Sequence, residues 1–138
     1  MTQRRAAGSV GFAFGLLSGV VGSVLLLSGC SPEPSLGQIE RDVFQRSCSF
    51  ATCHQSTGTP AGGLSLGAST YDQLVNAKST LSPGQMRVVP GDPDASFLME
   101  KLTSDKPKFG QRMPPAQALE PEEIEKMRAW ILAGAKNN

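Results

Sequence analysis

The chain has 138 residues, with 13 basic and 12 acidic side chains and a single histidine, for a formal net charge of +1. That length leaves room for one domain once a targeting segment is set aside, and the near-neutral balance carries no electrostatic footprint for nucleic acid.

Arg4 and Arg5 precede a stretch, 10–27, that contains no charge, and small residues follow it in Leu27-Ser28-Gly29-Cys30. A basic start, an apolar middle and a small-residue break predict an export signal. The competing reading is a membrane-spanning anchor, since the uncharged stretch is near the lower length limit for crossing a bilayer, although its glycines and serines weaken it. Leu27-Ser28-Gly29-Cys30 resembles the lipobox of bacterial lipoproteins. That resemblance implies cleavage before Cys30 and acylation of Cys30, with multiple chains giving stable anchoring at about 0.8 kcal/mol per buried methylene. The expected division is therefore a signal over 1–29, a lipidated cysteine with a short tether over 30–35, and a domain over 36–138. Loss of 1–29 removes two basic residues and no acidic one, leaving eleven against twelve.

Ser31-Pro32-Glu33-Pro34-Ser35 is polar and proline-rich and reads as a semi-extended tether. Ser35 can cap a helix in which Leu36, Ile39, Val43 and Phe44 share a face, and Gln38 completes a capping-box pattern. This helix runs into Cys48-Ser49-Phe50-Ala51-Thr52-Cys53-His54. Two thiols followed at once by an imidazole form the arrangement that attaches haem covalently: each cysteine adds across one vinyl group, and the histidine ligates the iron. The usual motif has two residues between the cysteines, and this one has four. Two other readings stand beside haem. One is a Cys48–Cys53 disulfide with His54 as an ordinary surface residue. The other is zinc, which usually needs four protein ligands, or three when catalytic, and is poorly served by one histidine and three cysteines of which Cys30 is spoken for.

After His54, the run Gly58-Thr59-Pro60-Ala61-Gly62-Gly63 predicts a loop on the proximal side, with some backbone carbonyl there receiving the second ring N–H of the ligating imidazole. Ser69 or Thr70 can begin a short helix with Tyr71, Leu74 and Val75, which the segment 79–90 ends. Asp92-Pro93 predicts another helix start, aspartate as cap and proline in the first turn, followed by Phe97, Leu98, Lys101 and Leu102 as an apolar and a charged face. Residues 103–118, with three prolines, read as an extended loop. Glu120-Pro121-Glu122-Glu123 opens the last helix, where first-turn acids suit the dipole and Leu119 and Ile124 form a hydrophobic staple. Ile124, Met127, Ile131 and Leu132 make its stripe, Trp130 flanks it, and Gly134 stops it. Such a chain has a thin core unless a buried cofactor fills the remaining space.

A six-coordinate haem needs a second axial ligand, and no second histidine exists. Met86, Met99, Met113 and Met127 are the candidates. Met99 and Met127 sit in predicted helices, where packing is the usual role. Met113 lies in Arg112-Met113-Pro114-Pro115, where two prolines stiffen the backbone beside it, and it is the expected ligand.

These features together resemble the single-haem class I cytochromes c, in particular divergent bacterial cytochrome c-like domains of exported proteins. The resemblance rests on Cys48, Cys53 and His54, on Val89-Pro90-Gly91-Asp92-Pro93, on Arg112-Met113-Pro114-Pro115, and on Pro121-Glu122-Glu123-Ile124 through Trp130-Ile131 to Gly134-Ala135. It implies an all-α fold of three to five short helices and long loops around one covalently bound haem c, with the first and last helices crossing and Phe44 near Trp130. Haem-binding residues are then Cys48, Cys53, His54 and Met113, with His54 and Met113 on the iron. The implied role is a one-electron carrier rather than an enzyme, working with transient redox protein partners and held to the membrane through Cys30. The expected place is the cell envelope, facing the periplasm, with Ser31 after the lipidated cysteine favouring the outer membrane by analogy with lipoprotein sorting. The competing functions are a haem-based sensor or ligand-binding lipoprotein with an open iron site, and a haem-free structural lipoprotein with a Cys48–Cys53 disulfide.

Overall fold

The first helical run begins where serine chemistry places it. Ser35 accepts the Gln38 N–H through its hydroxyl at 3.1 Å while Gln38 Oε1 accepts the Ser35 N–H at 3.0 Å, a reciprocal capping box. The computed structural model describes residues 32–55 and 57–138; the stretch expected to be an export signal, and Cys30, lie outside the described residues. Ser31–Asn138 cluster as one unit. Its elements, in chain order, are α1 (Leu36–Ile39), a π-helical stretch (Glu40–Phe44), α2 (Gln45–Ser47), a 3-10 turn (Ala61–Gly63), α3 (Thr70–Leu74), α4 (Phe97–Thr103) and α5 (Pro121–Leu132). The fold is all-α. Among the described residues β-pairing is confined to isolated bridges such as Gln55 with Leu66 and Val75 with Val88.

α1, the π-helical stretch and α2 follow one another without a break, and their apolar positions Leu36, Ile39, Val43 and Phe44 are all buried. The π-helical segment is a departure from the plain α-helix expected there; such insertions recur near functional sites. Asn138 seals the start of this run. It accepts the Leu36 N–H at 3.1 Å through its side chain and the Gly37 N–H at 3.0 Å through its backbone carbonyl, satisfying first-turn donors that have no partner inside the helix.

α5 packs against α1 and α4, and Met127, Trp130 and Ile131 from it join Phe44, Met99 and Leu102 in one core. Lys126 reaches Asp42 at 3.0 Å and ties α5 to the π-helical stretch. The stripe on α5 is rotated from the one expected: Trp130 is 1% exposed and belongs to the core, while Leu132 is 59% exposed. Ile131 and Leu132 are adjacent in sequence and so diverge by about 100° around the helix, which leaves room in the core for only one of them. Gly134, at φ +95, ends α5 as a Schellman turn in which Ala135 N–H reaches Trp130 O at 2.9 Å and Gly134 N–H reaches Ile131 O at 2.9 Å. The Trp130 indole donates to Lys136 O at 2.9 Å, so its one polar atom is satisfied inside the core.

The start of α4 also differs. Asp92 does not cap it; the helix begins at Phe97 after Ser96. The Asp92 carboxylate instead accepts the Ala95 N–H at 2.9 Å, closing a separate turn that contains Pro93. Ser96 then braces that turn, donating through its hydroxyl to Asp92 O at 2.7 Å and accepting the Val89 N–H at 2.9 Å. No described helix is long and apolar enough to cross a membrane.

Candidate cofactor site

Cys48 leaves the helix at φ −126, and a hydrogen bond from His54 N–H to Cys48 O at 3.1 Å closes the intervening residues into a compact loop. The four-residue spacer is accommodated by a further turn, Cys53 N–H to Phe50 O at 2.9 Å. Downstream, Ala61 N–H to Cys53 O at 2.8 Å and Leu66 N–H to His54 O at 2.8 Å lay the following loop alongside the motif. Both cysteines are free thiols, each half-buried.

The expected carbonyl partner of the imidazole is Leu64, one residue beyond the glycine-rich run, at 3.1 Å from His54 Nδ1. A carbonyl only accepts, so Nδ1 carries the hydrogen and Nε2 keeps a free lone pair. Burial pushes the His54 pKa down, and the nearby Arg87 and Lys101 charges push the same way against the opposing influence of the Leu64 and Ala61 carbonyls. The net effect favours the neutral imidazole that binds metal.

His54 opens into a cavity of about 190 Å³. Phe44 comes to it from the π-helical stretch, Leu74 from α3, Phe97, Leu98 and Leu102 from α4, and Leu64, Leu66 and Leu81 from loops. Met113 lines it as well. The methionine is held by its own backbone, donating its N–H to Lys101 O at 2.7 Å. A second recess of about 170 Å³ adjoins the first and is bounded by Cys53, Gln111, Pro114 and Pro115; Cys48, His54, Ala61 and Met113 border both. The structure therefore gathers Cys48, Cys53, His54 and Met113 around two recesses that share part of their lining. The other methionines are elsewhere: Met99 and Met127 are buried in the core at 3% and 0% exposure, and Met86 borders neither recess.

Residues 51–117 match a family model described as Planctomycete cytochrome C. The matched stretch is just under half of the chain and includes Cys53, His54 and Met113, while Cys48 and α5 fall outside it. No curated protein and no solved structure matches the chain. The similarity and the all-α fold support a cytochrome-c-like electron-transfer protein, and they are consistent with a haem cofactor.

The donor set fits that group. A neutral imidazole, a thioether and two thiols border a mostly hydrocarbon space; were a haem bound there, His54 and Met113 would be the residues to hold its iron, and Cys48 and Cys53 those to tether it. Among the described residues no group of three or more His, Cys, Asp or Glu side chains is placed to hold a bare metal ion. Sequence reasoning did not single out Arg87 or, as a cavity residue, Lys101. The signal for Lys101 was present: it lies four residues after Phe97 and three after Leu98, on the buried side of α4.

Proposed function

We propose that this protein is an exported, lipid-anchored cytochrome with one covalently bound haem c, which passes single electrons between protein partners in the cell envelope. The observation that carries the reading is the convergence of His54, with Nδ1 already committed to Leu64 O, and Met113 on one apolar cavity bordered by Cys48. Bound haem supplies reversible Fe(II)/Fe(III) exchange with no substrate bond made or broken. The chain's part is to hold and tune. Cys48 and Cys53 tether the cofactor; the Leu64 carbonyl orients His54; the Lys101 carbonyl fixes the backbone at Met113; Phe44, Leu74 and Leu102 exclude water. A neutral thioether ligand and a low-dielectric wall both favour the reduced, less charged iron, so a fairly positive potential follows.

Purified protein from cells competent in cytochrome c maturation should show a reversible one-electron transition and no carbon monoxide complex when reduced. Ready carbon monoxide binding by the wild type would replace the carrier by a haem-based sensor with an open iron site. Colourless protein would leave the disulfide-containing structural lipoprotein.

The anchor belongs to the same proposal and rests on Leu27-Ser28-Gly29-Cys30. Labelled fatty acid should enter the wild type and not Cys30→Ala, and the variant should leave the membrane fraction or keep residues 1–29. A wild type that retains 1–29 and takes up no label would make the apolar stretch a spanning anchor. We place the protein on the periplasmic side of the envelope, at the outer membrane by analogy with lipoprotein sorting at Ser31, with redox partners docking transiently over a small area.

A further inference from the structure

We infer that Arg87 and Lys101 are carboxylate receptors built into the cavity wall, one for each of the two propionate groups of the haem; this rests on the haem reading above. Both side chains border the cavity of about 190 Å³, and they are only 9% and 7% exposed. Most of what surrounds them there is hydrocarbon, a setting in which a charge without a counter-charge is costly.

Neither forms an ion pair among the described residues, although Glu100, the neighbour of Lys101 in sequence, acts on the ammonium from a distance. All twelve acidic residues lie at position 33 or beyond, within the described residues. The four ion pairs among those residues use Arg112, Lys126, Arg128 and Lys136. The cavity cations bond to carbonyls instead. Arg87 donates from Nη1 to Gln73 O at 2.9 Å and from Nη2 to Gly63 O at 3.0 Å. Lys101 Nζ donates to Phe109 O at 3.0 Å and to Gln111 O, and stands 5.8 Å from the centre of the Phe97 ring. Carbonyls aim a cation without neutralising it. A guanidinium has five donors and an ammonium three, so both keep N–H groups to spend on an anion. Burial lowers the pKa of both groups, the cost that an arriving carboxylate would offset.

A purely structural role, clamping loops through carbonyls, would be served as well by a neutral amide donor at lower desolvation cost. The positive charge is what an anionic ligand uses. A mostly apolar cavity holding two separate buried cations calls for a largely apolar ligand with two carboxylates, which describes haem. Each cation is also tied through the backbone to one of the two expected iron ligands. Gly63, which holds Arg87, precedes the Leu64 that holds His54, and Lys101 accepts the Met113 N–H.

The test uses the haem-loaded full chain with Arg87→Met, Lys101→Met, Arg87→Lys and Lys101→Arg, reading the propionate bending modes by resonance Raman and the midpoint potential. Each methionine variant should shift a propionate mode and lower the potential, because a positive charge that disfavours the oxidised iron is gone. The charge-keeping exchanges should shift the mode while returning the potential towards wild type, which loss of a mere loop clamp would not do. If the methionine variants do not fold, an unmoved propionate mode in both charge-keeping variants overturns the inference. Unmoved modes in folded methionine variants overturn it too, provided the pyridine haemochrome shows full haem. A wild type without haem overturns it together with the reading on which it rests.

Discussion

Cys48→Ser combined with Cys53→Ser should yield a protein from which acid acetone removes every trace of haem, whereas the wild type keeps its haem through denaturation and extraction. The expectation follows from placement: Cys48 stands where the first helical run ends, bordering both recesses, and Cys53 borders the second beside Pro114 and Pro115. The compact loop between them, closed by His54 N–H on Cys48 O, accommodates four intervening residues where two are usual. Each single variant should keep one thioether, gain the mass of one haem, and absorb at longer wavelength when reduced because one vinyl group stays conjugated. Burial, with Glu123 and Cys53 adding to it, pushes the Cys48 thiol up to about 12, so at neutral pH it is protonated and a poor nucleophile towards oxidants and alkylating agents. Mass spectrometry with haem staining of denatured gels checks the whole set. Haem resistant to extraction in the double variant would remove the cysteines from the site.

Met113→Ala should abolish the weak long-wavelength sulfur-to-iron charge-transfer band expected of an oxidised methionine-ligated haem, lower the potential, and open the reduced iron to carbon monoxide. Met113 borders both recesses together with His54, and its backbone is pinned to Lys101 O at 2.7 Å, so the thioether is presented by a loop that α4 holds in place. Met99→Ala and Met127→Ala make the contrast. Both side chains are core residues, and truncation should cost about 2–5 kcal/mol of stability while leaving the band intact. Absorption spectra of the oxidised variants and thermal melts of the same samples separate the two outcomes. A band that survives in Met113→Ala and vanishes in Met86→Ala or Met99→Ala would move the ligand to another methionine.

Local chemistry made much of this readable in advance. Ser35 with Gln38, the run Glu120-Pro121-Glu122-Glu123, and Gly134 after the last helix each act through atoms within a few residues, so their composition fixes where a helix starts or stops. Asp92 shows the limit of that logic. Its carboxylate had two uses open to it, a helix cap or a separate turn, and Ser96 supplied the turn with a brace from Val89 that pairing across seven residues provides. Leu132 shows another. Helical periodicity allowed both it and Trp130 near the stripe, and the fold buries the indole at 1% exposure while Leu132, about 100° around the helix from Ile131, stays 59% exposed.

For the site, sequence alone determined the chemical inventory: two cysteines, one histidine and a proline-braced methionine, with an all-helical frame to hold them. Only the tertiary structure decided which carbonyl orients His54, that Met113 and not Met86 shares its cavity, and that Arg87 and Lys101 lie inside. The physical reason is distance along the chain. Residue identity and short-range hydrogen bonding are local properties, whereas a cavity is the space left when segments such as Phe44, Leu74, Lys101 and Met113, far apart in sequence, pack as densely as their side chains allow.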